Sequence, residues 1–237
     1  GIGDWLDIAV MPLTQPVYKN QIDTRVKFSR ENESARPGMY RVKLENGIEA
    51  ALTATEHVGF HQYTFPKGTA QPTIRLDLDH TYNWDRPVDT EITIVNDSTL
   101  MGKRYSQGWA NKQHVYFALR TSKPIRSYFF NGQESSGGST PTIRIDNSTQ
   151  RGRNAVNAQL VFDQTSAVQI KVAPSMTDEQ KALAALSEIP DWNFVRVQQE
   201  AAAKWETELG KIRVESTDEK LKTIFYTALY HTAVAPT

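Results

Sequence analysis

Side-chain alternation with a period of two, broken every few residues by turn chemistry, is what most limits the folds open to this chain. Residues 39 to 55 read MYRVKLENGIEAALTAT, with Tyr40, Val42 and Leu44 on one side, then Asn46-Gly47, then Ile48, Ala50 and Leu52. Successive side chains of a strand point to opposite faces, so each run has a core face and a wet face. Asn-Gly between two such runs predicts a hairpin, because both residues accept the positive φ of a type I′ turn. The period recurs at 73 to 79, where Ile74, Leu76 and Leu78 oppose Arg75, Asp77 and Asp79. Further strands are predicted at 90–95, 115–120, 125–130, 142–145 and 167–172, and around GFHQYTF. Asn131-Gly132 and the Ser/Gly run at 135–139 punctuate them. Many short strands with such punctuation predict a mainly β chain, an antiparallel β-sandwich.

After Pro174 the period changes. Thr177 followed by Gln180 fits a capping box with Thr177 as N-cap, ahead of Ala182, Leu183, Ala185 and Leu186. A second helix is predicted from about Asp191 to Gly210, a plausible stop residue. A third opens at Ser216, with Glu219 three residues on. It places Leu221, Ile224, Phe225, Ala228 and Leu229 on one apolar face. The expected organisation is a sandwich at 1–175, incomplete at its start, linker helices at 176–214, and at 215–237 a helix that needs a cover.

The 27 basic and 27 acidic residues balance to a net charge of zero, which gives no field toward nucleic acid or an anionic membrane. No apolar run reaches the roughly 18 residues that a membrane helix needs. With no cysteine, disulfides, thiolate metal sites and a cysteine nucleophile are excluded. There is no Gly-x-Ser-x-Gly elbow and no P-loop. His57 and His61, read as one strand, fall on the same face about 13 Å apart, too far for one metal.

The sequence resembles the family 92 glycoside hydrolases, bacterial exo-acting α-mannosidases of two domains. The resemblance runs in order through Gly1-x-Gly3-Asp4, Met11-Pro12, Phe28-Ser29-x-Glu31-Asn32-Glu33, Pro37-Gly38-x-Tyr40 and Leu52-Thr53-Ala54-Thr55. It continues through Gly59-x-His61-x-Tyr63-x-Phe65-Pro66, Gly108-Trp109-Ala110, Tyr116-Phe117, Trp205 with Leu209, and the heptapeptide from Phe225 to His231. Gly-Trp-Ala alone is weak, whereas FYTALYH and LTAT with GFHxYTFP in this order are specific. Arg30 stands where the family usually has His in its FSHE motif, and His57 where it usually has Arg.

This resemblance implies a galactose-mutarotase-like supersandwich, linker helices, and at 215–237 the first helix of an (α/α)6 catalytic domain. It implies calcium-assisted inverting hydrolysis of α-mannosides such as N-glycan branches, α-1,2-type linkages among them, by a secreted, periplasmic or cell-surface enzyme. The catalytic carboxylates and most calcium ligands lie beyond Thr237, so no catalytic or metal residue is assigned here and the chain alone is expected to be inactive. Expected substrate contacts are Asp4, Trp5, Glu31, Glu33 and His61. Asp4 and Trp5 adjoin a glycine-rich stretch that lets backbone approach a ligand closely. Trp84 and Trp109 fall in predicted loops or strand ends, where a flat ring can stack on a sugar, although burial is the ordinary fate of a tryptophan. Glu31 and Glu33 also read as a structural loop, and His61 as a packing residue. Asp77 and Asp79 lie roughly 6 to 7 Å apart along a strand, near the separation an inverting pair needs, but a solvated face beside Arg75 explains them without chemistry. An alternative is a freestanding carbohydrate-binding sandwich, which would have no use for the apolar third helix.

Overall fold

The computed structural model describes residues 7–18, 25–81, 85–108, 110–135, 141–146 and 155–234. Fourteen strands among these residues form two antiparallel sheets. The smaller sheet runs β1 (Ala9–Leu13), β6 (Thr73–Asp77), β13 (Asn157–Val161), β10 (Ser127–Phe130) and β11 (Gln133–Ser135). The larger runs β12 (Thr142–Asp146), β7 (Arg86–Asn96), β8 (Thr99–Gln107), β9 (Gln113–Thr121) and β14 (Ala167–Ser175). It continues through β5 (Gly59–Thr64), β4 (Glu49–Ala54), β3 (Met39–Lys43) and β2 (Glu33–Arg36). Three helices follow, α1 (Glu179–Ala185), α2 (Phe194–Leu209) and α3 (Glu219–Val234).

Between the sheets lies the core that the alternation predicts. Ile74, Leu76 and Leu78 are fully buried opposite Ile92, Leu100, Phe117, Leu119 and Ile170, while Arg75 and Asp77 turn outward and pair at 2.8 Å. A second, smaller core covers the outer face of the large sheet, where Phe60, Ala118 and Ala173 pack on Ala182, Leu186, Phe194 and Val197. One face of the large sheet therefore looks at strands and the other at helices. The strand β8 was not foreseen, because Gly102, Lys103 and Arg104 interrupt its apolar positions; its inward side chains are Leu100, Arg104 and Ser106.

Local chemistry departs from expectation at the turns and caps. At Asn46-Gly47 only Gly47 has positive φ, at 85°. Gly47 N–H donates to Leu44 O, Leu44 N–H to Ile48 O, and the Asn46 side chain accepts from Ile48 N–H. This is a type I turn with a bulge, not a type I′ turn. The type I′ geometry sits at Asn131-Gly132, with φ of 50° and 77°, between β10 and β11. Helix α1 is capped by Asp178, whose carboxylate accepts from Lys181 N–H at 2.7 Å, one residue after the expected Thr177. Helix α2 is capped by Asn193, and Gly210 ends it in right-handed rather than left-handed geometry. At α3, Asp218 rather than Ser216 accepts from Leu221 N–H. A carboxylate or amide closer to the first free N–H groups outcompetes the earlier hydroxyl.

Gly38 joins sandwich to helix. It turns the β2–β3 hairpin with φ of 82°, and a Cβ there would meet Ala202 N at 2.9 Å, so α2 lies directly on this turn. Lys171, on the outer face of β14, completes the attachment. Its buried ammonium donates to Ile189 O at 2.7 Å and lies 3.9 Å from the Trp192 ring centroid. Burial lowers its pKa to about 8.

Candidate functional site

The ladder registers bring several connections to one end of the sandwich, its rim. There β2 ends and β3 begins, β4 ends and β5 begins, β14 ends, β9 begins, β8 ends and β7 begins. In the small sheet, Ala9 and Asn157 both pair with Asp77 at the end of β6, and Arg104 ties Asp7 and Leu78 O to the large sheet.

On the inward face near the rim, Tyr40, Leu52, His61 and Ile170 form one lateral row across four strands. His61 Nδ1 is 2.8 Å from the Tyr63 hydroxyl, and the rings meet edge to face. Burial pushes the His61 pKa down to about 4 and the Tyr63 phenol well up. The imidazole is therefore neutral near pH 7. With the protonated phenol as donor, its remaining proton belongs to Nε2. Two strands away, the Tyr40 hydroxyl donates to the exposed Glu33 carboxylate at 2.7 Å. Burial, then Glu33, raises the Tyr40 pKa to about 12.

Glu31 lies in a single 3-10 turn, Arg30–Asn32, and with Glu33, Arg41, Lys43, Glu49 and Gln62 lines a depression of about 310 Å³. His57 parts from His61. It precedes β5, is exposed, and pairs with Glu188 at 2.5 Å, so the same-face reading of the two histidines fails because the strand starts only at Gly59. Asp4, Trp5, Trp84 and Trp109 lie outside the described residues. Asp77 is occupied by Arg75 and by Asp79 N–H, as a structural face requires.

A larger groove of about 980 Å³ opens beside the rim, between the Pro37-Gly38 turn, Tyr40, Trp205 of α2 and Tyr226 and Tyr230 of α3. Trp205 and Tyr230 meet at 4.7 Å, and Tyr226 holds Ile212 O and Val214 N–H. The reading of the sequence missed the cluster of Arg104, Asp7, Asp85 and Gln113. Its only trace is that Arg104 shares strand parity with Leu100.

Family models cover nearly the whole chain. The glycosyl hydrolase family 92 N-terminal domain matches residues 1–175, and the family 92 catalytic domain matches residues 180–237. The chain belongs to glycosyl hydrolase family 92. An uncharacterized secreted glycosidase of Arthroderma benhamiae is 28% identical over 273 residues, which is 100% of this chain and 34% of that protein. The structure of a family 92 α-mannosidase of Bacteroides thetaiotaomicron superposes with a TM-score of 0.85 at 27% identity, covering 97% of this chain and 32% of that one. A complex of the same mannosidase with mannoimidazole gives 0.84 at 27% identity, over 97% and 31%. The chain thus spans about a third of the length of these relatives.

In this family 92 chain the motifs that carry the sequence resemblance converge. Glu33 opens β2, Tyr40 lies on β3, LTA closes β4, and GFHQYT is β5, four neighbouring strands. Among the described residues no three His, Asp or Glu side chains converge, and the carboxylates of Asp7 and Asp85 are engaged by Arg104.

Proposed function

We propose that this chain is the sandwich, the linker and the first catalytic-domain helix, at 1–175, 176–214 and 215–237, of a secreted exo-acting α-mannosidase. Supporting the reading is the joint match of both family models, with 27% identity to an α-mannosidase over 97% of the chain. The secreted relative supports the location, and no helix among the described residues is long and apolar enough to cross a membrane. The proposed substrates are mannose-containing glycans, N-glycan branches and α-1,2-linked mannosides among them. Hydrolysis is by inversion, with calcium and the catalytic carboxylates supplied by the remainder of a family 92 enzyme.

The part proposed for this chain is to shape the pocket. Asp4, Trp5, Glu31, Glu33 and His61 are the proposed contacts. A His61 that stays neutral above about pH 4 can donate from Nε2–H to a sugar hydroxyl, and so orients without competing for the catalytic proton. Glu33, already holding Tyr40, has a second oxygen to accept from a hydroxyl. The test compares the full-length enzyme with this chain alone on an aryl α-mannoside and on mannobiose, with calcium. Turnover by the full-length protein only is expected. Absence of mannosidase turnover from the full-length protein overturns the activity, and turnover by the isolated chain overturns the division of labour.

A further inference from the structure

Two lateral rows of side chains cross the outer face of the large sheet near the rim. The registers set Asp146, Asp89, Tyr105 and His114 side by side across β12, β7, β8 and β9, and Arg144, Glu91, Lys103 and Tyr116 in the next row. They point outward because their chain neighbours Ile92, Arg104, Phe117 and Ile145 face the strand core. Helix α1 lies over β9, β14 and part of β8, beside this strip. In the first row the His114 ring lies flat on Tyr105, centroids 3.9 Å apart and planes at 22°. The Tyr105 hydroxyl meets that of Tyr116 at 2.5 Å, and Lys103 Nζ stands 5.1 Å from the Tyr105 centroid, so the ring under His114 is held in place. Tyr105 is half-buried and His114 exposed, which presents a flat, oriented ring to solvent. Toward β12 the charges satisfy one another. Arg144 donates to both Asp89 oxygens at 2.8 Å and to Asp146 at 3.4 Å, and Lys103 pairs with Asp89 at 3.1 Å and Glu91 at 3.6 Å.

We propose that this strip is a carbohydrate-binding surface, on which one hexose of an oligosaccharide stacks on His114 while its neighbours reach Arg144 and Asp146. Cross-strand ring pairs stabilise sheets without any ligand, but that role does not account for a ring stack continued along one row by charges already cancelled in place. A charged ligand would have to displace those ion pairs, since each carboxylate of the two rows is held by Arg144 or Lys103. A neutral polyhydroxyl ligand suits both ends. Its C–H face lies on the exposed ring, and its hydroxyls accept from Arg144 and donate to Asp146, which the ion pairs have ordered before binding. From β12 to β9 the row spans three strand spacings, about 14 Å, room for a short oligosaccharide. That the sugar is a mannoside rests on the proposed function; the stacking and the cancelled charge do not.

The test runs the full-length enzyme on native gels cast with and without a branched α-mannan, and measures kinetics on that mannan and on an aryl α-mannoside. Mannan should retard the parent. His114→Ala removes the exposed ring and should weaken that retardation. It should raise KM for mannan about threefold to tenfold, with kcat and the aryl α-mannoside kinetics within about twofold. His114→Trp puts a larger ring in the same place and should bind mannan at least as tightly as the parent; if His114→Ala does not fold, weaker retardation of His114→Trp overturns the proposal. Equal retardation and equal mannan KM in the parent and His114→Ala overturn it too, as does an equal rise of KM on both substrates, which a ring acting only through the fold would give. If the parent turns over neither substrate, the mannosidase reading fails on its own and the gel decides: retardation that His114→Ala weakens upholds the surface, and no retardation overturns it.

Discussion

Leu76 and Leu221 are the same side chain on equally regular elements, yet one is fully buried and the other 57% exposed. The strand around Leu76 has its cover in the opposing sheet, supplied by the same chain. Helix α3 meets α2 through Trp205 and Tyr230, while Leu221 and Ile224 stay uncovered at 57% and 55%. Periodicity thus states which face of an element is apolar; burial depends on whether a complementary face is within reach. The unequal energetics of these two regions can be measured.

The largest effect is expected in the sandwich at Arg104. Arg104→Met leaves Asp7 buried without its cation and should cost about 3 to 5 kcal/mol in urea unfolding, whereas a loss below 1 kcal/mol would show the cluster to be energetically idle. Next, Leu76→Ala should cost about 2 to 5 kcal/mol, because a rigid interior cannot close the cavity. A smaller, pH-dependent term comes from His61. Its folded pKa of about 4 lies below the ordinary value of 6.5, so below pH 6.5 the unfolded chain takes up a proton that the folded chain refuses. Stability should therefore fall by roughly 1 to 3 kcal/mol as pH drops from 6.5 to 4, and His61→Gln should flatten this slope in pH-dependent melts. The smallest effect belongs to α3. Leu221→Ala should stay within about 0.5 kcal/mol, and ending the chain at Glu215 should leave the sandwich transition within about 2 °C. Cooperative unfolding of the sandwich on that truncation would erase the contrast between the two regions.

The rim was legible in unequal parts. Strand parity placed Ile74, Leu76 and Leu78 inward, and the motif residues Tyr40, Leu52 and His61 follow from one alternation each. Their assembly into a single row needed the registers of β3, β4, β5 and β14. Glu31 and Glu33, two apart in sequence, read alike, and both line one depression, but a 3-10 turn ends between them and Glu33, at the start of β2, also holds the Tyr40 hydroxyl. Arg104 was hidden because a charged residue in an alternating run reads as solvent-facing until its partners are known.

By itself the sequence determined the fold class, the faces of its strands, the order of its helices and the chemistry available at their ends. Those are local properties, set by a period of two or 3.6 and by the φ that Gly and Asn accept. Tertiary structure alone decided which cap residue wins, that Arg104 could be buried because three distant segments bring it acceptors, and that Lys171 could lie beneath Trp192. Each of those outcomes depends on desolvation being offset by groups far away in the chain, and that balance exists only once the sheets and helices have packed.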